Sequence, residues 1–380
     1  MKKILISLLL AALLSGGVGA IETLEENAIS ISAPSALLME KETGTIIYAK
    51  HEHDKGSPAS VTKIMTLLLV MEELDGGRLA ETDMISCSTR ASSMGGSQIW
   101  LKEGETMSVH DMLKAVTVVS ANDCAVALAE HISGSEESFV AKMNARALEL
   151  GMFDSYFVDC TGLTEDPNHL TSAYDVALMS RELIKHDKIK EFTTIWMDSL
   201  RDGKSALTNT NKLVRFYKGT TGLKTGFTSR AMHCLSATAQ RDGTEYIAVV
   251  LHAPSSNERF ECAKTLLNYA FANYALCPLR SPTPLPPVMV ELGTADSVQP
   301  IYGGESAMLL EKTKLGEARY ELKLPEKLSA PIGAGEVLGE MLVYSGDNEL
   351  ARVPLLAGSE VAKLSLFQIY GRMLSRLYGG

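Results

Sequence analysis

Residues 58–66 read PASVTKIMT, and they begin an apolar segment that continues to Leu74. Long apolar side chains follow Ser60 without a break, which predicts a helix buried on all sides. The hydroxyl of Ser60 and the amine of Lys63 are three residues apart, and residues at this spacing share a helix face. At a helix N-terminus the dipole also stabilises an oxygen that becomes anionic. The stretch therefore predicts a serine paired with a lysine at the start of the first buried helix.

Strand patterns lie on both sides of a helical region. Ala36–Met39 and Thr45–Tyr48 flank a polar turn, which is a hairpin signal. The later strands are predicted at Gly222–Thr228, Cys234–Ala239 and Tyr246–Leu251. Further helices are predicted at residues 109–132, 136–150, 172–186 and 258–275. Strands at both ends with helices between them favour an α+β fold, in which helices cover one antiparallel sheet, over alternating βαβ units.

The C-terminal third has a different pattern. Four prolines between Pro282 and Pro287 form a stiff junction, so we expect one domain at 21–280 and a small all-β domain at 281–357. The tail at 358–380 is expected to be an amphipathic helix, because its sequence has helical periodicity from Glu360 to Tyr378. Its apolar stripe consists of Leu366, Ile369, Tyr370, Met373, Leu374 and Leu377, and its polar side includes Lys363, Gln368, Arg372, Ser375 and Arg376. A basic amphipathic helix of this kind is typical of a membrane interface, and the alternative is a helix docked on its own protein or on a partner.

The N-terminus has the pattern of an export signal. Lys2 and Lys3 precede an apolar run from Ile4 to Leu14, and small residues end at Ala20. This predicts a signal peptide at residues 1–20, with an uncleaved anchor as the alternative. The six cysteines are widely and irregularly spaced, with no CxxC pair. We therefore expect mostly free, buried thiols and neither a zinc nor a redox motif.

Composition narrows the class of partner. The 380 residues include 36 Lys and Arg against 46 Asp and Glu, which gives a net charge of −10. A chain this acidic, without a basic block, is a poor candidate for binding nucleic acid.

Two further motifs follow the Ser60 stretch in a fixed order. Ser120-Ala121-Asn122 ends an apolar run, and Lys224-Thr225-Gly226 lies on a predicted strand, where Gly226 permits close approach of the backbone. Each motif alone is weak, because either could be a surface loop or turn. Together with S-x-x-K they form the serine acyl-transferase signature of penicillin-binding proteins and class A β-lactamases.

The chain resembles the low-molecular-weight penicillin-binding proteins that are D-alanyl-D-alanine carboxypeptidases, the family of penicillin-binding proteins 5 and 6. The resemblance covers nearly the whole chain and includes 58–66, Met94-Gly95-Gly96-Ser97 and GLKTGFT at 222–228. It implies a β-lactamase/transpeptidase-like catalytic domain, a small β domain and a tail helix. It also implies an enzyme on the outer face of the cytoplasmic membrane that removes the terminal D-Ala from peptidoglycan stem peptides and is acylated by β-lactams. Cys124 departs from the family, where a small apolar residue is more usual, and we expect only a packing change.

The resemblance sharpens the expected roles. Ser60 is the expected nucleophile, Lys63 the base, with a pKa lowered by burial and by Lys224, and Ser120 a proton relay to the leaving nitrogen. The expected substrate-binding residues are Asn122 for the amide, Lys224 and Thr225 for the terminal carboxylate, and Gly226 and Phe227 beside them. The backbone N–H groups of Ser60 and Phe227 are the expected oxyanion hole. Strand alternation alone would place Lys224 and Thr225 on opposite faces.

Other readings are weighed against this one. A β-lactamase needs a second carboxylate to activate water, and Glu165 and Asn168 do not have the E-x-x-x-N spacing of class A enzymes. A catalytically silent wall-binding module is opposed by the intact motifs. The cluster around His51 and His53 is expected to be a solvated loop, and His169 a structural residue, so no metal site and no cofactor are predicted.

Overall fold

The computed structural model describes residues 23–24, 28–316 and 318–378, so the predicted signal peptide at 1–20 lies outside the described residues. The chain divides into one compact unit that ends at Ala272 and another that begins at Asn273. The C-terminal unit thus includes the segment before the prolines, because a strand at Tyr274–Pro278 pairs with Ala307–Glu311. The division at residue 280 and the other domain limits remain predictions.

The first unit contains the predicted strands, and its longer helices lie in the regions where helices are predicted. Its strands are β1 (Ser35–Glu40), β2 (Ile46–Lys50), β3 (Met84–Ser86), β4 (Thr106–Ser108), β5 (Met197–Leu200), β6 (Ser205–Thr208), β7 (Thr220–Thr228), β8 (Met232–Arg241) and β9 (Thr244–Ala253). Its helices are α1 (Lys63–Asp75), α2 (Thr89–Ser92), α3 (Val109–Val118), α4 (Asn122–Ser133), α5 (Glu136–Glu149), α6 (Ala173–Leu183), α7 (Ile189–Thr193), α8 (Leu213–Phe216) and α9 (Ser256–Asn273). A 3₁₀ turn at Ala59–Thr62 leads directly into α1.

One antiparallel sheet carries this unit, in the order β2-β1-β9-β8-β7. The predicted antiparallel sheet is therefore confirmed. The edge strand β7 packs against the turn that precedes α1, so the sheet edge and the first buried helix meet. The residues of α1 from Lys63 to Met71 are all buried, as its unbroken apolar pattern predicts. These contacts bring the first and third sequence motifs together.

The prediction of one helix over 109–132 is wrong. The segment forms α3 and α4, which are separated at residues 119–121. Ser120 has φ +64°, in the left-handed region that a continuous right-handed helix excludes. The break turns the second motif into a helix junction, and Asn122 becomes the first residue of α4.

The second unit is mostly strand and ends in a helix. Its strands are β10 (Tyr274–Pro278), β11 (Val288–Glu291), β12 (Ser297–Val298), β13 (Pro300–Tyr302), β14 (Ala307–Glu311), β15 (Ala318–Lys323), β16 (Lys327–Ser329), β17 (Val337–Ser345) and β18 (Asn348–Ala357). The helix α10 (Leu366–Tyr378) begins six residues after Glu360, where the pattern predicts it to begin. Val361 and Ile332 instead exchange backbone hydrogen bonds of 2.9 and 3.0 Å, which holds this part of the tail extended.

All six cysteines are free and buried, as expected. Cys87, Cys124, Cys160 and Cys234 belong to the core of the first unit, whereas Cys277 belongs to a core of the second. Cys124 is fully buried in α4, so its thiol fills core volume there.

Candidate active site

The turn that precedes α1 places Ser60 beside Lys63. The Nζ atom of Lys63 donates to Ser60 Oγ at 3.1 Å and to the carbonyl oxygen of Thr161 at 2.7 Å. Ser60 is partly exposed, whereas Lys63 is fully buried. Ala59, immediately before the serine, has φ +48°, a sparsely populated conformation for a residue with a side chain. The site thus presents one accessible hydroxyl above a buried amine.

Burial is the main cause of the altered acidity of Lys63. It lowers the pKa of the amine from 10.5 to about 8, and the negative charges of Asp159 and Asp123 partly oppose it. Lys224 was expected to lower the pKa of Lys63, but it is not among the causes of that shift. Instead, the charge of Lys63 lowers the pKa of Lys224. About a tenth of Lys63 is therefore neutral at pH 7, and the neutral amine is the form that can accept a proton.

A single carboxylate organises the loop that holds Lys63. Asp159 accepts hydrogen bonds from the backbone N–H groups of Thr161 at 2.7 Å and Thr164 at 2.8 Å. Gly162 in this loop has φ +76°, and a Cβ atom there would lie 1.8 Å from the carbonyl oxygen of Ala59. Only glycine permits this approach, so the loop is locked against the nucleophile turn. No sequence motif marked Asp159 or Gly162.

The junction between α3 and α4 supplies two buried polar groups. Within the described part of the chain, Ser120 Oγ and Asn122 Oδ1 have no hydrogen-bond partner. The Nδ2 atom of Asn122 donates to the carbonyl oxygen of Gly95 at 2.8 Å, and its backbone N–H donates to Ser97 at 2.7 Å. The motif at residues 94–97 thus fixes the side chain of Asn122. The unpaired oxygen is an acceptor suited to an incoming amide N–H.

Lys224 is a second buried amine. Its Nζ atom donates to the carbonyl oxygen of Thr225 at 2.9 Å. Burial, then the charges of Lys63 and Arg259, hold its pKa well below the usual range. A buried cation with cationic neighbours is unfavourable until an anion lies beside it. This environment suits a carboxylate ligand.

The side chain of Thr225 contacts Thr210 rather than Lys224. Alternation turns it away from Lys224, and its hydroxyl donates to Thr210 Oγ1 at 2.8 Å. The backbone N–H of Thr210 in turn donates to Val118 at 3.0 Å, two residues before Ser120. Thr225 is therefore connected to the Ser120 junction through Thr210.

Gly226 and Phe227 complete the third motif. A Cβ atom on Gly226 would lie 2.8 Å from the carbonyl oxygen of Pro58 and 3.1 Å from the backbone nitrogen of Ser60. The close approach that this glycine permits is therefore to the nucleophile turn itself. Phe227 is 57% exposed, and its ring stacks on that of His233 with centroids 4.5 Å apart. The ring is available to a ligand at the edge of the site.

Arg259, on α9, was not predicted from the sequence. Its Nη1 atom donates to the carbonyl oxygens of Gly226 at 3.0 Å and Cys234 at 3.3 Å. Burial lowers its pKa from 12.5 to about 10. The guanidinium thus fixes the end of β7 against β8. A lone arginine in a helix pattern carries no signal of this contact.

The histidines singled out in the sequence have structural partners. The Nδ1 atom of His169 accepts from the backbone N–H of Val158 at 3.0 Å, so its Nε2 atom carries the proton and donates to Thr62 Oγ1 at 2.7 Å. Burial lowers the pKa of His169, which favours this neutral form. His53 lies at the surface, with its Nδ1 atom 2.8 Å from Asp154 Oδ2. His169 thus supports the turn of the nucleophile, whereas His53 belongs to a surface contact.

Comparison with known proteins identifies the family of this fold and site. Residues 22–255 match the family model described as D-alanyl-D-alanine carboxypeptidase, and residues 288–363 match that of the penicillin-binding protein 5 C-terminal domain. The D-alanyl-D-alanine carboxypeptidase DacF of Bacillus subtilis is 40% identical over 348 residues, which cover 90% of this chain and 89% of that protein.

Solved structures agree. Penicillin-binding protein 5 from Haemophilus influenzae matches with a TM-score of 0.75 and 29% identity, over 89% of this chain and all of that one. Penicillin-binding protein D2 from Listeria monocytogenes, in its ampicillin-bound form, matches with a TM-score of 0.58 and 31% identity, over 63% of this chain and 98% of that one. The predicted fold class and family are confirmed. The chain belongs to the D-alanyl-D-alanine carboxypeptidase family of serine hydrolases.

Proposed function

We propose that this protein removes the terminal D-alanine from peptidoglycan stem peptides through an acyl-enzyme on Ser60. The observation that carries the proposal is the 3.1 Å contact between Ser60 Oγ and the Nζ atom of Lys63, whose pKa is about 8. Neutral Lys63 accepts the hydroxyl proton as Ser60 Oγ attacks the carbonyl carbon of the penultimate D-alanine. The backbone N–H groups of Ser60 and Phe227 stabilise the resulting oxyanion.

The remaining residues complete the cycle. Ser120 passes a proton to the nitrogen of the departing D-alanine, and the C–N bond breaks to leave an ester on Ser60. Water then attacks the ester, one proton returns to Ser60 Oγ, and the shortened peptide leaves. Two buried groups have no hydrogen-bond partner among the described residues, and both support these roles. The hydroxyl of Ser120 is available to the leaving nitrogen, and the amide oxygen of Asn122 is available to the substrate amide. The buried ammonium of Lys224 supports binding of the terminal carboxylate with Thr225.

We propose in addition that β-lactams acylate Ser60. The ampicillin-bound relative supports this extension, because its fold is shared with this chain at 31% identity. A β-lactamase is less favoured, since Glu165, the carboxylate nearest to the required spacing, is exposed and its backbone oxygen faces Arg230. Rapid hydrolysis of β-lactams needs a carboxylate that positions water at the ester.

Labelling with a fluorescent penicillin and release of D-alanine from a D-alanyl-D-alanine peptide test this function. We expect both in the wild-type protein and neither in Ser60→Ala. Ser92→Ala removes a hydroxyl from α2 and is the matched control, which keeps both activities. Labelling of Ser60→Ala would place the nucleophile elsewhere, and fast catalytic turnover of nitrocefin would favour the β-lactamase reading.

The tail helix α10 is the proposed attachment to the outer face of the cytoplasmic membrane. Its large apolar side chains Leu366, Phe367, Tyr370, Met373 and Leu374 are exposed. In contrast, Arg372 turns toward its own domain, where it donates to Asp296 Oδ1 at 2.9 Å and to the carbonyl oxygen of Thr294 at 3.0 Å. Arg372 thus binds its own domain, so this residue of the predicted polar side is not free to meet lipid headgroups.

This arrangement supports an interfacial helix. An exposed apolar face of this size is stabilised by contact with an apolar phase, and here the polar side chain faces inward. No described helix is long and apolar enough to span a membrane. With the signal peptide proposed at 1–20, the protein would be exported and held peripherally on the membrane by residues 358–380.

Vesicle flotation tests the attachment. The mature full-length protein should float with vesicles that contain anionic lipid, whereas deletion of residues 360–380 should abolish flotation. The deletion should change the rate of D-alanine release from a soluble peptide less than about twofold, because the active-site motifs precede the tail. A truncated protein that still floats would exclude the tail as the anchor.

A further inference from the structure

The exposed apolar face of α10 lies beside a groove in the second unit. The groove has a volume of about 610 Å³ and is formed by α10, by β11 and by the residues after β11. Its apolar side chains include Met289, Leu292, Ile369 and Met373, and Met373 also belongs to the exposed face of α10. The attachment proposed above assigns no part to Met289 or Leu292.

Met289 and Leu292 are apolar side chains held outside the core. β11 alternates, so Val288 and Val290 are buried in a core of the second unit and Met289 faces outward. Met289 is 55% exposed and Leu292 is 50% exposed. Leu292 also has φ +57°, in a region that few residues with side chains occupy. A single exposed apolar residue is common, but a patch of them beside an apolar helix face indicates an interaction surface.

Two contacts tie α10 to the segment after β11. The backbone N–H of Leu364, two residues before the helix, donates to the carbonyl oxygen of Leu292 at 2.8 Å. Within the helix, Arg372 donates to the carbonyl oxygen of Thr294 at 3.0 Å. Because these contacts lie near the start and in the middle of α10, they restrict its rotation relative to residues 292–294. The apolar side chains on both sides of the groove therefore form one surface.

The charges around the groove indicate what this surface meets. Both carboxylates of the lining are paired, Asp296 with Arg372 at 2.9 Å and Glu291 with Lys327 at 2.7 Å. Lys363, which immediately precedes the tail segment of the lining, is exposed and forms no ion pair within the described part of the chain. An apolar patch with an unpaired cation beside it suits the interface of a bilayer that contains anionic lipid.

We propose that Met289 and Leu292 enter the lipid surface together with α10, so that the membrane-binding surface comprises the helix and the end of β11. This inference rests on the peripheral attachment proposed above and extends it to a second element. The groove between the two elements then faces the acyl chains of the bilayer. Since the two elements are tied together, transfer of both from water to lipid requires no further ordering of the chain, and their contributions to the partition coefficient multiply.

Vesicle binding by a double variant tests the inference. The mature full-length protein with Met289→Ser and Leu292→Ser should bind vesicles that contain anionic lipid about tenfold more weakly than the wild type, because two half-exposed side chains are lost from the apolar contact. Quantitative flotation measures the two partition coefficients, and thermal denaturation checks that the variant folds.

A second double variant is the matched control. Ile301 and Val337 are 48% and 49% exposed in the same unit, but they belong to the sheet of β13 and β17 and do not line the groove. Ile301→Ser with Val337→Ser removes a comparable exposed apolar area and should change vesicle binding less than about twofold.

A fluorophore reports which side chains leave water. Leu292→Cys labelled with the environment-sensitive group NBD should show a blue-shifted emission when vesicles are added. The same label on Ile301→Cys should keep the emission of a group in water. The six native thiols are buried, so the reagent attaches to the introduced cysteine in the folded protein.

Three results would overturn the inference and leave the attachment by α10 standing. They are wild-type flotation of the Met289 and Leu292 double variant, an equal loss in the Ile301 and Val337 double variant, and an unchanged emission at residue 292 in protein that floats. A blue shift at residue 292 that depends on protein concentration and not on vesicles would assign the groove to a second copy of the chain instead. A wild-type protein that does not float would overturn the attachment and this inference together.

Discussion

The surroundings of Lys63 and Lys224 and the outer face of α10 depart from ordinary side-chain burial in opposite directions. In the first region two amines are buried, whereas in the second five large apolar side chains are exposed. A pKa of about 8 at Lys63 means that its charged form is disfavoured by about 3 kcal/mol relative to water. Packing around the lysines maintains the first departure from within the fold. In the proposed attachment, the second departure would be stabilised by an apolar phase outside the protein, and the two regions should therefore respond to different perturbations.

Replacement of Lys63 by arginine should have the largest effect. Arginine keeps a positive charge but cannot lose its proton, so Lys63→Arg should lower the rate constant of penicillin acylation by about 10³-fold, as much as Lys63→Ala. Stopped-flow or gel-based labelling measures this rate constant. Lys102→Arg, at an exposed lysine, is the control and should acylate normally. A near wild-type rate in Lys63→Arg would make the buried charge, and not the proton acceptor, the functional feature.

Substitution of Gly162 tests the packing that maintains the buried amine. Gly162→Ala would place Cβ 1.8 Å from the carbonyl oxygen of Ala59 at φ +76°, so we expect a loss of about 3 kcal/mol in the free energy of unfolding. Gly104→Ala is the matched control, since Gly104 has φ +78° and open space around it, and should cost about 1 kcal/mol. Urea denaturation measures both. Equal losses would mean that backbone conformation alone, without the close approach, limits the site.

The pH dependence of kcat/KM tests whether Lys63 acts as the base. Protonated Lys63 cannot act as a base, so kcat/KM should rise with pH below about 8 and level off above it. From pH 6 to pH 8 the neutral fraction of a group with this pKa increases about 50-fold. Stopped-flow acylation over pH 6–9 measures this rise, with circular dichroism to check the fold. A flat profile below pH 8 would contradict the base role.

A single substitution on α10 should have the smallest effect. Met373→Asp places a charge on the exposed apolar face and should weaken vesicle binding about tenfold, because it removes about 1.5 kcal/mol of apolar burial. Ser375→Asp makes the same charge change on the same helix and is the control for electrostatic repulsion. Quantitative flotation measures both partition coefficients. Equal weakening would mean that charge, and not apolar burial, governs the attachment.

The sequence predicts those parts of the fold that local pattern determines. The alternating strands β7 to β9 and the unbroken apolar helix α1 lie where their patterns predict them. The short antiparallel pairs β3/β4 and β5/β6 were not predicted, because strands of three or four residues carry little alternation. The break at Ser120 was also missed, because helical periodicity continues on both sides of it and does not indicate a residue with positive φ.

The candidate site divides in the same way. The residues of the three motifs could be chosen from residue type and spacing, and the structure brings Ser60 and Lys63 into contact. Asp159, Gly162 and Arg259 could not be chosen, because their contacts are with backbone atoms distant in sequence. The partner of the Thr225 hydroxyl could not be chosen either, because Thr210 belongs to no motif.

The six buried thiols can serve as built-in probes of local unfolding. Burial raises the pKa values of the Cys87 and Cys234 thiols to about 11, so little thiolate is present near neutral pH. An alkylating reagent can then modify these groups only when their surroundings open, and the rate of modification measures the opening equilibrium. Cys277 lies in the core of the C-terminal unit and Cys124 in that of the first. Peptide-resolved alkylation would therefore distinguish the opening of one unit from that of the other in the intact protein.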